Sequence, residues 1–240
     1  MNWKYEIRMY LRRWGIDLSR FNVAQSEDAR LLALLTAYGI DTVLDVGAND
    51  GGYARQLLGA GFNGRILSFE PQATAHRSLL KSLETIANWD AAPRMALGDS
   101  SGTVELNIAA NSASSSILPM LETHLRAAPQ SRYIATERVP VFRLDNVDHS
   151  TIREARKIYL KIDTQGYETQ VLSGSRGLMP RVQGLQLEMS LVPLYDGQVI
   201  FRDILDLVSQ EGFELMNIVP GFSDVTTGRL LQIDGIFFKP

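Results

Sequence analysis

Apolar residues in this chain alternate between two patterns: short uninterrupted runs, and longer stretches in which they recur every three or four positions. The runs at 42–46, 65–69, 157–163, 184–189, 213–219 and 230–238 are too short and too continuous for half-exposed helices, and they read as buried strands. A third strand precedes Gly98-Asp99, and 103–108 reads as an added one. Helical spacing appears over 26–38, with Ser26 at the capping position and Leu31, Leu32, Leu34 and Leu35 facing inward. It returns with Tyr53, Leu57 and Leu58 up to Gly59–Gly61, then over 73–87, 168–174 and 198–211. Strand–helix alternation of this kind predicts an open, mostly parallel sheet with helices on both faces. The last two strands meet through 220–228 without a helix between them, so an antiparallel ending is expected. Residues 110–137 are the least regular part and read as a long loop with a short helix over the sheet, a place where function or disorder concentrates.

This patterning divides the chain into a helical extension, 1–38, and a catalytic domain, 39–240, which suits a length of 240 residues. Hydrophobic residues at 45% and charged residues at 21% are ordinary for a soluble domain. The absence of cysteine excludes disulfide scaffolds, thiolate metal sites and cysteine nucleophiles. A net charge of −3 gives no footprint for nucleic acid. No apolar run is long enough to span a bilayer. Lys4, Arg8, Arg12 and Arg13 are followed by no apolar core, which argues against a secretory signal and for a cytoplasmic location. Residues 3–14 mix basic and aromatic side chains at helical spacing. That pattern suits packing on the main domain or on a second copy, giving a homo-oligomer, or else weak contact with a membrane surface.

The chemistry concentrates at the ends of the strands, where ligands sit in an open α/β sheet. The turn after the first strand reads Asp45-Val46-Gly47-Ala48-Asn49-Asp50-Gly51-Gly52. Its glycines, Gly47 and Gly51 among them, permit a tight turn and close approach to a ligand. Glu70-Pro71 ends the second strand, where a carboxylate can accept from both hydroxyls of a ribose. A dinucleotide motif wants glycine at 47, 49 and 52, and the middle position is Asn49. Asp45 also sets negative charge where a pyrophosphate would lie. A nicotinamide dehydrogenase is therefore disfavoured. A nucleoside with no phosphate and with cationic groups suits Asp45 and Glu70 better, and S-adenosylmethionine is such a molecule. Asp99 is placed to meet an exocyclic amine of the base, or simply to form a turn. A binding module without chemistry would be expected to lack the carboxylates at 45 and 70.

These residues, with later ones, resemble the FkbM family of methyltransferases. The resemblance rests on DVGANDG at 45–51, FEP at 69–71, ALGD at 96–99, RLDNV at 143–147 and LKIDTQGYETQVLSG at 160–174. It continues through LEMSLVPLYDG at 187–197 to GRLLQIDGIFF at 228–238. It implies a Rossmann-like class I fold, a seven-stranded sheet whose last strand is antiparallel, with S-adenosylmethionine as donor and S-adenosylhomocysteine as product. It also implies hydroxyl acceptors on sugars, glycoconjugates or natural products. Relatives often carry Val-Glu-Gly where this chain has Thr164-Gln165-Gly166, so one carboxylate is missing.

Methyl transfer from a sulfonium needs in-line positioning and, for an alcohol, a base that takes its proton. Asp163, at the end of the fourth strand, is the favoured base or substrate-positioning group and is expected beside the cofactor; a helix cap is its alternative role. Glu188, at the end of the fifth strand, is second; burial would oblige it to bind something or to pair, for instance with Lys161. His124, in the irregular segment, is third, ahead of His76 and His149. Ser114, Ser115 and Ser116 are candidate donors to substrate, and Tyr195 a candidate wall of the acceptor pocket. Asp163, Glu188 and Asp234 have no spacing that demands a metal, and none is expected. A nitrogen acceptor or a polyketide hydroxyl remains open beside a carbohydrate hydroxyl.

Overall fold

The computed structural model describes residues 3–16 and 20–240, Lys4 by its backbone only, so positions 1, 2 and 17–19 of the expected N-terminal extension lie outside it. The first half of the chain runs α1 (Trp3–Arg12), α2 (Glu27–Ala37), β1 (Thr42–Val46), α3 (Gly52–Ala60), β2 (Arg65–Phe69), α4 (Ala73–Leu83) and β3 (Trp89–Ala91). An inserted section follows: β4 (Ala96–Leu97), β5 (Gly102–Ala109), α5 (Glu122–Ala127), β6 (Tyr133–Phe142) and α6 (Ser150–Glu154). The second half is β7 (Ile158–Ile162), α7 (Glu168–Ser173), β8 (Val182–Ser190), α8 (Phe201–Gln210), β9 (Glu214–Pro220) and β10 (Gln232–Phe238).

Seven strands form one sheet in the order β3-β2-β1-β7-β8-β10-β9. Neighbours are parallel except β10, which is antiparallel to both β8 and β9. This is the class I methyltransferase topology, as expected, and its mixed end forms a hairpin through 221–231. The chain builds outward from β1 to β3 and then restarts on the other side with β7. Strand order therefore reverses between β1 and β7, and a crevice opens there at the carboxyl ends.

Alternate residues of the strands feed two cores. Leu44, Val46, Leu67, Phe69, Leu160 and Ile162 pack against Val171 of α7 and Ile204 and Val208 of α8. Val43, Ile66, Tyr159, Ile236 and Phe238 face Leu31 and Leu35 of α2, Ala54 and Leu57 of α3 and Leu79 of α4. Leu31 and Leu35 are buried, whereas Leu32 and Leu34, also expected inside, are half-buried. Ser26 caps α2 as expected, its hydroxyl accepting from the Ala29 amide at 3.3 Å. Packing thus joins α2 to the sheet.

The inserted section differs from the expectation of a long loop. Residues 133–142 form β6, antiparallel to β5 and parallel to β4, in a separate three-stranded sheet. The strand was hidden because its inner face is short: only Val139 and Val141 are buried, and the rest is half-exposed or exposed. The third strand of the main sheet is Trp89–Ala91, and the Ala96–Leu97 pair before Gly98 belongs to the small sheet.

Candidate active site

The turn between β1 and α3 is shaped from its own sequence. Gly47, at φ 82°, brings its backbone so near β7 that a Cβ there would lie 1.8 Å from the Asp163 carbonyl oxygen. The Gly47 and Ala48 amides both donate to the Phe69 carbonyl at 3.0 Å, locking the turn onto β2. Asn49 follows at φ 49°. The Asn49 amide donates to Glu70 Oε2 at 2.7 Å, and the Gln72 amide to Oε1 at 2.7 Å. Burial pushes the Glu70 carboxyl up to about 7 despite these two bonds.

Above this turn a partly open cavity lies at the carboxyl ends of the strands, the usual place for a small-molecule site in such a sheet. Gly47, Asn49, Glu70, Pro71 and Asp163 line it, with Ser115 and Ser116 from the inserted section. Phe69, Met95, Leu97, Leu106, Ile117 and Tyr167 make an apolar wall. The three described non-glycine residues with positive φ, Asn49, Ser112 and Gln165, all stand on this wall. Such backbone is held against its preference mainly where a site requires it. The Ser112 hydroxyl donates to Asn49 Oδ1 at 3.3 Å, tying the inserted section to the turn.

The fourth strand delivers the polar centre. Asp163 is on the cavity wall with 33% of its side chain exposed. Lys161 Nζ lies 3.4 Å from Asp163 Oδ2 and 3.3 Å from Asp45 Oδ1. Burial disfavours the Lys161 ammonium, but Asp163, Asp45 and Asp234 outweigh it and hold its pKa above the usual lysine value. Gln165 Nε2 donates to Asp163 Oδ1 at 3.0 Å and to Glu188 Oε2 at 2.7 Å, while Gln165 Oε1 accepts from the Tyr195 hydroxyl at 2.7 Å. The Gln165 carbonyl accepts from the Ser116 hydroxyl at 2.7 Å. Glu188 is thus partnered by Gln165, not by Lys161. Burial, followed by the carboxylates of Asp163, Glu168 and Asp234, holds its proton well above the ordinary range. Glu168 accepts from the amides of Thr164 and Gly166 at 2.9 and 3.0 Å and so shapes the loop after β7. Asp163 does not cap α7, whose capping position is Tyr167.

Several sequence-predicted residues stand off the wall. Asp45 is fully buried beneath the turn, with the Ser68 hydroxyl 3.2 Å from one oxygen and Lys161 near the other; it supports the site from behind. Gly51 caps α3 at φ 86° under the Trp89 ring, where a Cβ would come within 2.5 Å of that ring. Asp99 is exposed, its carbonyl accepting from Arg143 and its carboxylate from Ser100. Ser114 is buried and faces Asn111 and Ser131. Tyr195 is fully buried and acts through Gln165. His124 is 2% exposed, stacked on Phe222 and edge-on to Tyr195, and burial pulls its pKa down to about 4. That is a core histidine, and the expectation of a catalytic one is corrected. His76 is buried against the Ala92 carbonyl, and His149 caps α6.

Sequence reasoning passed over Ser112, Gln165 as a bridge, and the apolar wall. Met95, Leu97 and Ile117 come from discontinuous segments with no shared periodicity. The signal for Gln165 was present in the motif, where an amide stands between two carboxylate-bearing strand ends.

The chemistry of this wall selects its ligand. Among the described residues no Lys or Arg lines the cavity, and two carboxylates do. The Asn49 amide is taken by Glu70, and the Gly52 amide at the start of α3 by Asp50 Oδ1 at 3.1 Å. Amides that would otherwise cradle a phosphate already serve anions. An apolar slot beside the Glu70 carboxylate, with the one near ammonium, Lys161, already held by Asp163 and Asp45, fits S-adenosylmethionine better than a dinucleotide.

Comparison with known proteins agrees. Residues 45–215 match the methyltransferase FkbM domain. The 2-O-methyltransferase NoeI of Sinorhizobium fredii is 26% identical over 187 residues, covering 74% of each chain. Among solved structures, TehB from Haemophilus influenzae aligns at 9% identity with a TM-score of 0.48, over 88% of this chain and 62% of that one. A SAM-dependent methyltransferase from Aquifex aeolicus aligns at 12% identity with a TM-score of 0.42, over 87% and 88%. With the domain match running from the turn after β1 through β7 and β8, this chain belongs to the FkbM family of methyltransferases and uses S-adenosylmethionine as its cofactor.

Proposed function

We propose that the chain methylates a hydroxyl oxygen of a sugar or glycoconjugate, with Asp163 as the base. The observation that carries this reading is the Asp163 carboxylate, partly exposed on the cavity wall and fixed from behind by Lys161 and Gln165. The naming of NoeI as a 2-O-methyltransferase supports oxygen as the acceptor atom. When bound, the cofactor supplies a methyl group on a cationic sulfur whose leaving thioether is neutral, so no acid is required.

The residues that would hold it are Glu70 for the ribose hydroxyls, Pro71, Met95, Leu97 and Ile117 for the adenine, and the Gly47–Asn49 turn for the amino-acid end. A hydroxyl becomes a competent nucleophile only as its proton is drawn off. Asp163 can accept that proton through the lone pairs its two partners leave free. Lys161 and Gln165 keep the carboxylate from turning away, which serves positioning. Glu188, behind Gln165, retains its proton more readily and steadies that amide.

Labelled S-adenosylmethionine offered with a panel of oligosaccharides, amines and polyketide alcohols tests the reading. Label in an alkali-stable methyl ether on a sugar is expected. Label confined to amines would overturn the choice of acceptor.

A further inference from the structure

The first helix carries a surface that the methyltransferase chemistry does not use. Among the described residues, nine of the seventeen exposed large hydrophobic side chains fall between positions 3 and 23. A concentration of that kind in so short a segment marks an interaction face and not ordinary surface scatter. Trp3, Ile7, Tyr10 and Trp14 follow one another at spacings of four, three and four, which places them in one stripe along the helix and the turn that extends it. Their exposures are 63%, 46%, 59% and 71%. Residues 1–16 hold four cations, Lys4, Arg8, Arg12 and Arg13, against the single carboxylate Glu6, in a chain whose net charge is −3.

We infer that α1 docks this enzyme on an anionic lipid surface, with the Trp3–Ile7–Tyr10–Trp14 stripe in the boundary between headgroups and acyl chains. Two arguments select lipid over a second copy of the chain. Tryptophan and tyrosine combine an apolar ring with a polar edge, which suits that boundary. The charge is complementary to anionic headgroups, whereas pairing two such helices would bring two clusters of cations together. At ten residues the helix is far too short to span a bilayer, and no helix of the described residues is long and apolar enough to do so. It lies along the surface. This inference stands independently of the acceptor.

Cosedimentation of the full chain with vesicles tests it. One set is pure phosphatidylcholine, the other contains phosphatidylserine. Binding is expected only to the second, and it should fall severalfold at about 0.5 M salt as the charges are screened. The double variant Arg12→Ala/Arg13→Ala should lose about fivefold in partitioning per cation removed. Trp3→Ala/Trp14→Ala should abolish sedimentation, while the thermal shift produced by S-adenosylmethionine stays as in the parent, showing an intact body. Failure to bind the anionic vesicles overturns the inference. So does binding indifferent to both double variants, or a dimer by light scattering that the tryptophan variant dissociates.

Discussion

Two carboxylates at adjacent strand ends, Asp163 and Glu188, share the two hydrogens of one amide nitrogen, that of Gln165. The two do not face each other as like charges, because Glu188 keeps its proton while Lys161 stands beside Asp163. Asp163→Asn removes the proton acceptor and keeps the shape. Turnover should fall by about a hundredfold or more, with cofactor affinity changed little, as separate kinetic and binding titrations would show. Unchanged turnover would send the base elsewhere. Gln165→Glu replaces the donor with a further carboxyl group. The loss of two bonds to carboxylates is expected to destabilise the fold by about 3 kcal/mol near pH 8, and acidification should restore part of it. A melting temperature that did not depend on pH in this variant would contradict that account. His124→Leu, by contrast, should leave turnover within about twofold, because the ring packs on Phe222 and Tyr195 away from the cavity. At this scale the sequence made Gly47, Asn49, Glu70, Pro71 and Asp163 legible, since each sits in a motif tied to a strand end. It could not show that Asp45 and Tyr195 support the site from behind, because depth depends on what packs over them.

The elements that carry the site were readable wherever burial is one-sided or complete. The strands β1, β2, β7 and β8 are nearly or wholly buried and appear as apolar runs. The outer wall of the cavity was not, because β4 is two residues long and β6 offers few buried positions. That wall places Ala96, Leu97 and Leu106 over the crevice, so the small sheet belongs to the binding site. The start of α3 offers a test at this scale. Gly51 has a left-handed φ of 86° and lies under Trp89, whose indole N–H donates to Ser68 at 3.0 Å. Gly51→Ala must push that ring and strain the backbone. A loss of about 2 kcal/mol in denaturant unfolding is expected, with weaker cofactor binding following from the displaced turn. A variant as stable as the parent would mean that the ring moves freely.

For the molecule as a whole, the site and the stability of the fold are linked through buried carboxyls. Glu70 and Glu168 are pushed up to about 7 and Asp234 to about 6, in each case first by burial. Unfolded, all three would titrate near the ordinary 3.8 to 4.5. Between those values and about 7 the folded chain binds more protons than the unfolded one, so its stability falls as pH rises through that window. Asp145 and Asp224 are shifted the other way but act below their ordinary value; His124, pulled down from 6.5 to about 4, opposes the trend inside the window and is one group against three. The ligand-free protein should therefore melt higher at pH 5 than at pH 8. Cofactor binding should run in the opposite direction. Accepting from two ribose hydroxyls favours the ionised form of Glu70, and a carboxyl titrating near 7 is about one-tenth ionised at pH 6. Affinity for S-adenosylmethionine at pH 6 should be about tenfold weaker than at pH 8, with proton release on binding in between. Calorimetry in two buffers of different ionisation enthalpy measures that proton directly. In Glu70→Gln the release should vanish and the residual affinity should become flat with pH. Persistence of both in that variant would move the linkage to another group on the wall, with Asp163 the first to examine.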